Sequence, residues 1–517
     1  MELPYDIWLH IARFLPAEHV RRLYCVNHAW YDIAMDERYR SVSFQYWSDP
    51  ETQRNLRRLR EPSIARRVRN LSFHPALIGN LLVDDPQNSA EPWSQKFRSK
   101  IKYLRSPAKS VKGKASMGGR EALEAMLQIV GNLSNVTTYN LEFWARESLS
   151  ALRQVLPVLT LAWKVFGDKL TSLTLDIPLD GLQDLLHPSL RLRRLTSLTL
   201  RLTKSSVATD STSVIRHLLV PFVNQHHATL TTFVLTSFEH FDFSAFLLGL
   251  HHFPYLSKLT ISHPFVSFQQ SDTLGLRHVL AVHSAGLREL NLRFHTPLNT
   301  WAQLPSSPAW YGQEFFGITF SGLEVLDLGL RDVPEDVPWT INYLRNFRQS
   351  LTSLTLRDYH FSFQEAATVA NLFTAGFLQK LDIAVDNLYP QLIDVFADRL
   401  PVLSELYLVF ESFLPADGVT SNESLDEPNA AHAQFCADMQ RRRYTNWGLR
   451  HLTAFPTGGC DQALVKACET SLVEAIPSLH MLNGRDVQRL GTLSPATRSL
   501  ASSRSYLTFS SRAASQN

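Results

Sequence analysis

Cysteine is scarce in this sequence. Cys25, Cys436, Cys460 and Cys468 are the only four in 517 residues. They form no C-x-x-C pair and suggest no disulfide framework, so a reducing compartment, cytosol or nucleus, is expected. An excess of charge is lacking too. The 51 Lys and Arg against 48 Asp and Glu leave a net charge of +3, too little to argue for a nucleic-acid partner. No apolar run approaches the ~18 residues of a membrane span. The folded pattern starts at Leu3, so no signal peptide is expected, and Glu2 stands where N-myristoylation needs glycine. G-x-S-x-G, H-E-x-x-H, the phosphate-loop motif and G-x-G-x-x-G are all missing. The adjacent pairs His226-His227 and His251-His252 would diverge on a helix or strand, which disfavours a shared metal. The sequence therefore reads as a binding protein and not an enzyme, with no cofactor and no metal.

What is present is a repeat. From residue 136 the pattern apolar-x-x-apolar-x-apolar returns: Val136-Thr-Thr-Tyr139-Asn-Leu141, Leu170-Thr-Ser-Leu173-Thr-Leu175, Leu195-Thr-Ser-Leu198-Thr-Leu200. Leu230, Leu256, Leu287, Leu323, Leu351, Leu378, Leu403 and Leu449 start further copies. Val68-Arg-Asn-Leu71-Ser-Phe73 reads as an early copy and Leu479-His-Met-Leu482 as a degenerate late one. Most starts lie 25–36 residues apart, the period of a strand and a helix per repeat. Alternation turns the last two apolar residues of each copy inward. One such strand cannot bury its apolar face alone, whereas stacked neighbours form a continuous core. Helical faces between the strands, such as Val214, Ile215, Leu218, Leu219 and Phe222, or Leu388, Leu392, Val395 and Phe396, would make the convex wall. Ser362-Phe-Gln-Glu365 fits a capping box. The fold class expected is α/β, a solenoid with parallel strands on its concave side.

The first 44 residues differ from the rest. Leu3-Pro4 opens two short helical patterns, and Val26-Asn27-His28-Ala29-Trp30 turns into a third. Apolar residues recur at Ile7, Ile11, Phe14 and Leu15, then at Val20, Leu23, Tyr24 and Val26, then at Trp30, Ile33 and Ala34. Units below about 40 residues usually need a metal, disulfides or a partner, so part of this apolar surface must dock on something. Leu3-Pro4-x-Asp6-Ile7, Phe14-Leu15-Pro16 and Val26-Asn27-x-x-Trp30-x-x-Ile33-Ala34 together resemble an F-box. The usual second tryptophan is missing, and Tyr39 sits near its place. The segment behind it resembles the leucine-rich repeats that often follow an F-box, without their usual asparagine after the strand.

The resemblance implies a three-helix module that binds a Skp-type adaptor of a cullin-based ubiquitin ligase, through Leu3, Pro4, Ile7, Ile11, Leu15, Val26 and Trp30. It implies a substrate receptor of an SCF-type complex, with an unnamed target protein held by the solenoid and no membrane or nucleic-acid partner. A HECT- or RING-type ligase would need a cysteine lobe or paired zinc ligands, and four scattered cysteines supply neither. A non-ligase scaffold, whose N-terminal helices cap the solenoid, is the alternative. It is discriminated by whether the Leu-Pro and Ile face is covered. By alternation, the concave strand positions offered to a partner include Arg201, Lys258, Glu289, Asn291, Arg293, Asp327, Arg357, Lys380, Asp382, Glu405 and Tyr407. The expected organisation is a helical module at 1–46, a linker and first possible repeat at 47–83, a basic flexible insertion at 84–120 and the solenoid at 121–491. The insertion has nine basic and no acidic residues from Lys96 to Arg120. The solenoid carries an acidic loop at 415–432, and a disordered Ser-rich tail is expected at 492–517.

Overall fold

The computed structural model describes residues 3–46, 49–83, 119–143, 149–187, 190–203, 211–239, 243–264, 270–295, 314–329, 337–374, 376–415, 428–458 and 461–487. Most of the basic insertion and of the acidic loop, the tail, Cys460 and the Arg357 side chain lie outside the described residues. The chain divides into two compact units, Met1–Leu287 with His295–Leu304, and Arg288–Phe294 with Pro305–Asn517.

In the first unit, helices α1 (Tyr5–Ala12), α2 (Ala17–Arg22) and α3 (His28–Tyr39) precede seven strands: β1 (Ser41–Phe44), β2 (Asn70–Phe73), β3 (Thr138–Glu142), β4 (Ser172–Pro178), β5 (Ser197–Thr203), β6 (Thr232–Ser237) and β7 (Lys258–Pro264). Each pairs in parallel with the next. The second unit holds β8 (Glu289–His295), β9 (Val325–Gly329), β10 (Ser353–Phe361), β11 (Lys380–Leu388), β12 (Glu405–Phe413), β13 (His451–Pro456), β14 (Met481–Leu482) and β15 (Arg485–Asp486). These also pair in sequence order, in parallel up to β14. β15 then turns back antiparallel. Asn483 and Gly484 both have positive φ, 49° and 73°, the conformation a tight two-residue hairpin needs. The hairpin ends the pairing with a strand of two residues, too short to invite another chain.

The repeated motif explains this stack. In β4 and β5 the burial alternates, with Leu173, Leu175, Leu198 and Leu200 fully buried and Thr174 and Thr199 on the open face. The first leucine of each copy, Leu170 or Leu195, is fully buried ahead of its strand. Between strands the helices cover the inward side. The stretch Ser211–Asn224 is helical with a wider π turn at Ile215–Leu219, and it buries Val214, Ile215, Leu219 and Phe222. Leu392 and Phe396 are buried from the helix Pro390–Arg399, but Leu388 belongs to β11. Ser362 and Glu365 form the expected capping box on the helix Phe363–Leu372. Cys436 and Cys468 sit with their Sγ atoms 3.6 Å apart, unlinked, one on each of the helices Pro428–Gln440 and Gln462–Ala475.

The residue just before each strand makes one recurring contact. The carbonyl of Thr137 accepts both Thr171 N at 2.9 Å and Ser172 N at 3.1 Å, and the Thr171 hydroxyl donates to it at 3.2 Å. The carbonyl of Thr171 receives Thr196 N, Ser197 N and the Thr196 hydroxyl in the same way. Thr196 repeats it with Thr231, and Thr231 with Ser257. In the second unit Glu324 accepts from Thr352, and Gln379 from Ser404. This hydroxyl ladder satisfies backbone groups at the turn. It gives the Leu-Thr-Ser opening of the motif its role.

Two findings concern the start of the stack. In the segment read as a linker and first possible repeat, helices Pro50–Arg58 and Pro62–Ala65 lead into β2, and Ala76–Val83 follows it. β1 itself, Ser41–Phe44, directly follows α3 and carries Val42 and Phe44 inward.

Thr196→Val should lower unfolding free energy by about 1 kcal/mol, and Thr174→Val, on the open face, should leave it nearly unchanged. Chemical denaturation of the full chain checks both. Burial pushes the His74 and His226 imidazoles down to about 4 from 6.5. Both therefore stay neutral in the folded state where the unfolded chain takes up protons. Stability is full above pH 6.5 and falls as pH drops from 6.5 towards 4. The fall, read from denaturation midpoints, should be shallower in His226→Gln.

Candidate functional site: an N-terminal docking module

The module is built around two aromatic rings. On α1, Trp8 and Ala12 lie one turn apart and turn inward, while Ile7 and Ile11 have the same spacing and turn outward. The Trp8 ring lies 5.8 Å from that of Trp30 on α3. Trp30, Ile33, Val20 and Ala12 form the small core, flanked by half-buried Trp8 and Leu23. Asn27 has an extended backbone and caps α3, its Oδ1 accepting Trp30 N at 2.8 Å. The Asn-x-x-Trp spacing is thus a helix start. The asparagine satisfies the first turn's free N–H, and the residue whose N–H it holds drives its ring into the core.

This reassigns Trp30. It is 4% exposed, so it holds the module together and does not meet a partner. The other six residues expected at the adaptor interface, Leu3, Pro4, Ile7, Ile11, Leu15 and Val26, are all exposed. Phe14, at 76%, is more exposed than Leu3, Ile7, Ile11, Leu15 or Val26. Ten of the 21 exposed large apolar and aromatic side chains among the described residues fall between Leu3 and Tyr31. That density marks a contact surface and not ordinary scatter. Tyr39 is buried at the end of α3.

The module is fixed to the first repeats by Arg67, just ahead of β2. Its guanidinium donates to the Asp32 carbonyl at 3.0 Å, to the Asp32 carboxylate at 2.8 Å and to the Asp36 carboxylate. Burial pulls the Arg67 pKa down, but the bonds from Asp32 and Asp36 outweigh it and hold the charge. Beside this clamp lies a cleft of about 650 Å3. Leu9, Ala12, Leu15, Val20 and Ile33 supply apolar lining. Arg13, Arg40, Arg66, Arg67 and Arg69 also line it, with Asp36 and Glu37; Arg67 pairs with Asp36 and Arg40 with Glu37. Leu9 and Leu15 belong both to the cleft and to the exposed apolar set. Sequence reading missed the cleft because its arginines come from three separate segments.

The open face of the strands carries the other expected positions. In the first unit, Arg201 pairs with Asp176 at 3.6 Å on the neighbouring strand. Lys258 stands at the start of β7, half-buried. In the second unit, Arg293 pairs with Asp327 at 2.8 Å, and Asn291 donates to the same oxygen at 3.0 Å. Lys380 pairs with Glu405 at 3.3 Å, and Glu289 is half-buried. Asp382 is only 6% exposed and is not presented, whereas its neighbour Tyr407 is 39% exposed. Among the described residues no group of three or more His, Cys, Asp or Glu could hold a metal ion, and no helix is long and apolar enough to cross a membrane.

The molecule so described is a helical docking module joined to a stack of strand–helix repeats. Residues 1–45 match the F-box-like family model, so the chain carries an F-box-like domain there. No curated protein matches the chain. Among solved structures, one similar chain comes from the crystal structure of the Rad7 and Elc1 complex in yeast. It is 12% identical, with 82% of this chain and 90% of that chain covered and a TM-score of 0.35.

Trp30→Ala should cost about 3–5 kcal/mol and unfold the module, and Asn27→Ala about 1 kcal/mol. Ile7→Ala should leave stability nearly unchanged. Thermal melts with protease protection of residues 3–39 separate the three.

Proposed function

We propose that the protein is the substrate-recognition subunit of an SCF-type ubiquitin ligase. The observation that carries the reading is the exposed apolar face of the F-box-like domain. Leu3, Pro4, Ile7, Ile11, Leu15 and Val26 are uncovered, and the repeats that follow do not bury them. A module that merely capped the repeat stack would hide this face. Its exposure favours docking to a Skp-type adaptor, and through it to a cullin scaffold, over the scaffold-only alternative. The Arg67 clamp supports the same reading, because a receptor must hold its target in a fixed relation to the adaptor.

In this role the chain does no chemistry. It raises the local concentration of a target at the ligase, turning an encounter in solution into an intramolecular one. The target protein is held on the open face of the strands, where rigid backbone presents polar and aromatic side chains. The site of action is the cytoplasm or nucleus.

Co-expression with a Skp-type adaptor tests the proposal. Wild type should retain the adaptor on affinity capture, and Leu3→Ala/Pro4→Ala/Ile7→Ala should lose at least tenfold while melting at the same temperature. Equal retention by both proteins, or none by either, refutes it.

A further inference from the structure

The open face of the second unit changes character at its last strands, and the change identifies the chemistry of a target. This inference rests on the reading of that face as the target platform. Across β11, β12 and β13 the register places Ala384 beside Val409 and Val409 beside Phe455. These three make an apolar row on a face whose other rows are mostly polar. Phe455 is 45% exposed, and Tyr407, one pleat earlier on β12, is 39% exposed. The corresponding row in the first unit is polar: Asp176, Arg201, Thr236 and Ser262. Exposed aromatic rings on a rigid hydrogen-bonded backbone are effective anchors, since little side-chain freedom is lost when they are covered.

One pleat further on, the register Asn387 with Ser412 sets Asp386 beside Glu411. Both are exposed, and neither makes an ion pair among the described residues. The charged groups around them are mostly of the same sign. Glu365, at the start of the helix Phe363–Leu372, acts on Asp386 with the same sign. Among the described residues, His360 opposes them. Burial pushes the Asp386 carboxyl up, with Glu365 and Glu411 adding to the rise and His360 reducing it. A cation arriving here would relieve that repulsion, and an anion would add to it.

We propose that this patch binds an extended target segment that carries a bulky apolar side chain and, two residues away, a lysine or arginine. The apolar side chain sits against Phe455, Val409 and Tyr407, and the cation against Asp386 and Glu411. The spacing follows from the sheet. Val409 and Glu411 are two residues apart on one strand, roughly 7 Å, which matches positions i and i+2 of an extended peptide.

The test uses the full chain co-purified with its adaptor and an array of twelve-residue peptides. Each peptide has Phe fixed at one position and Lys, Ala or Glu two residues later. Wild type should capture Phe-x-Lys peptides at least tenfold better than Phe-x-Glu, and 500 mM salt should shrink that ratio towards one. Tyr407→Ala/Phe455→Ala should lose capture of all three sets. Asp386→Asn/Glu411→Gln should retain capture but lose the preference for Lys. All variants are at the surface and should melt with wild type. No preference for Lys over Glu, or variants that capture as wild type does, overturns the proposal. Adaptor retention is read on the same preparations: its loss in wild type would refute the receptor reading, while retained adaptor without peptide preference would refute only the patch.

Discussion

One backbone contact sets the geometry of each unit. Within each unit, the carbonyl just before a strand accepts two N–H groups from the equivalent place in the next repeat. In the first unit the series runs Arg40, Arg69, Thr137, Thr171, Thr196 and Thr231 as acceptors. In the second it runs Arg288, Glu324, Thr352, Gln379, Ser404 and Arg450. Two donors converging on one oxygen leave little freedom in how neighbouring strands align, so the register is inherited from one repeat to the next. Where the donor residue is Thr or Ser, its hydroxyl often adds a third bond. The leucines behind this point can then stack without side slip, because a shift of one residue would turn each of them to the open face.

The first acceptor in the series, Arg40, is also the residue that ends α3. The F-box-like domain is therefore joined to the first repeat by the same contact that joins the repeats to each other. Arg67 adds side-chain bonds from the approach to β2 back to Asp32 and Asp36 on α3. A docking module attached this way transmits its orientation to the strands that follow it. The apolar core of Trp8, Ala12, Val20, Trp30 and Ile33 is small, and the residues outside it are left for a partner. The division of labour inside the motif follows from helix geometry. Positions one turn apart on α1 share a face, so the Trp8–Ala12 pair and the Ile7–Ile11 pair could not both turn inward.

Much of this architecture was legible from residue order. The strand positions, the inward leucines, the Ser362–Glu365 cap and the F-box-like segment all follow from period and residue type. β1 was not legible, because Tyr39 stands three residues before Val42, where the other copies open on leucine or valine. The hydroxyl ladder was hidden for another reason. Thr171 and Thr196 precede their strands, and threonine in such a motif looks like an ordinary β-former until its neighbour is in place. Trp30 was misplaced because a tryptophan in a docking motif reads equally as core or as contact. Asp382 alternates outward along β11 and was expected to be exposed, yet it is only 6% exposed.

The sequence by itself determined the repeat, the alternation and the presence of a helical module with more apolar residues than it can bury. Those properties are local, and spacing along the chain encodes them. The tertiary structure decided which of those residues stay outside. It buried Trp30, left Leu3, Ile7, Ile11 and Val26 in the open, gathered arginines from three segments around one cleft, and set Phe455 beside Val409 and Asp386 beside Glu411. These are relations between residues up to dozens of positions apart, fixed by strand register and helix packing, and spacing along the chain does not state them.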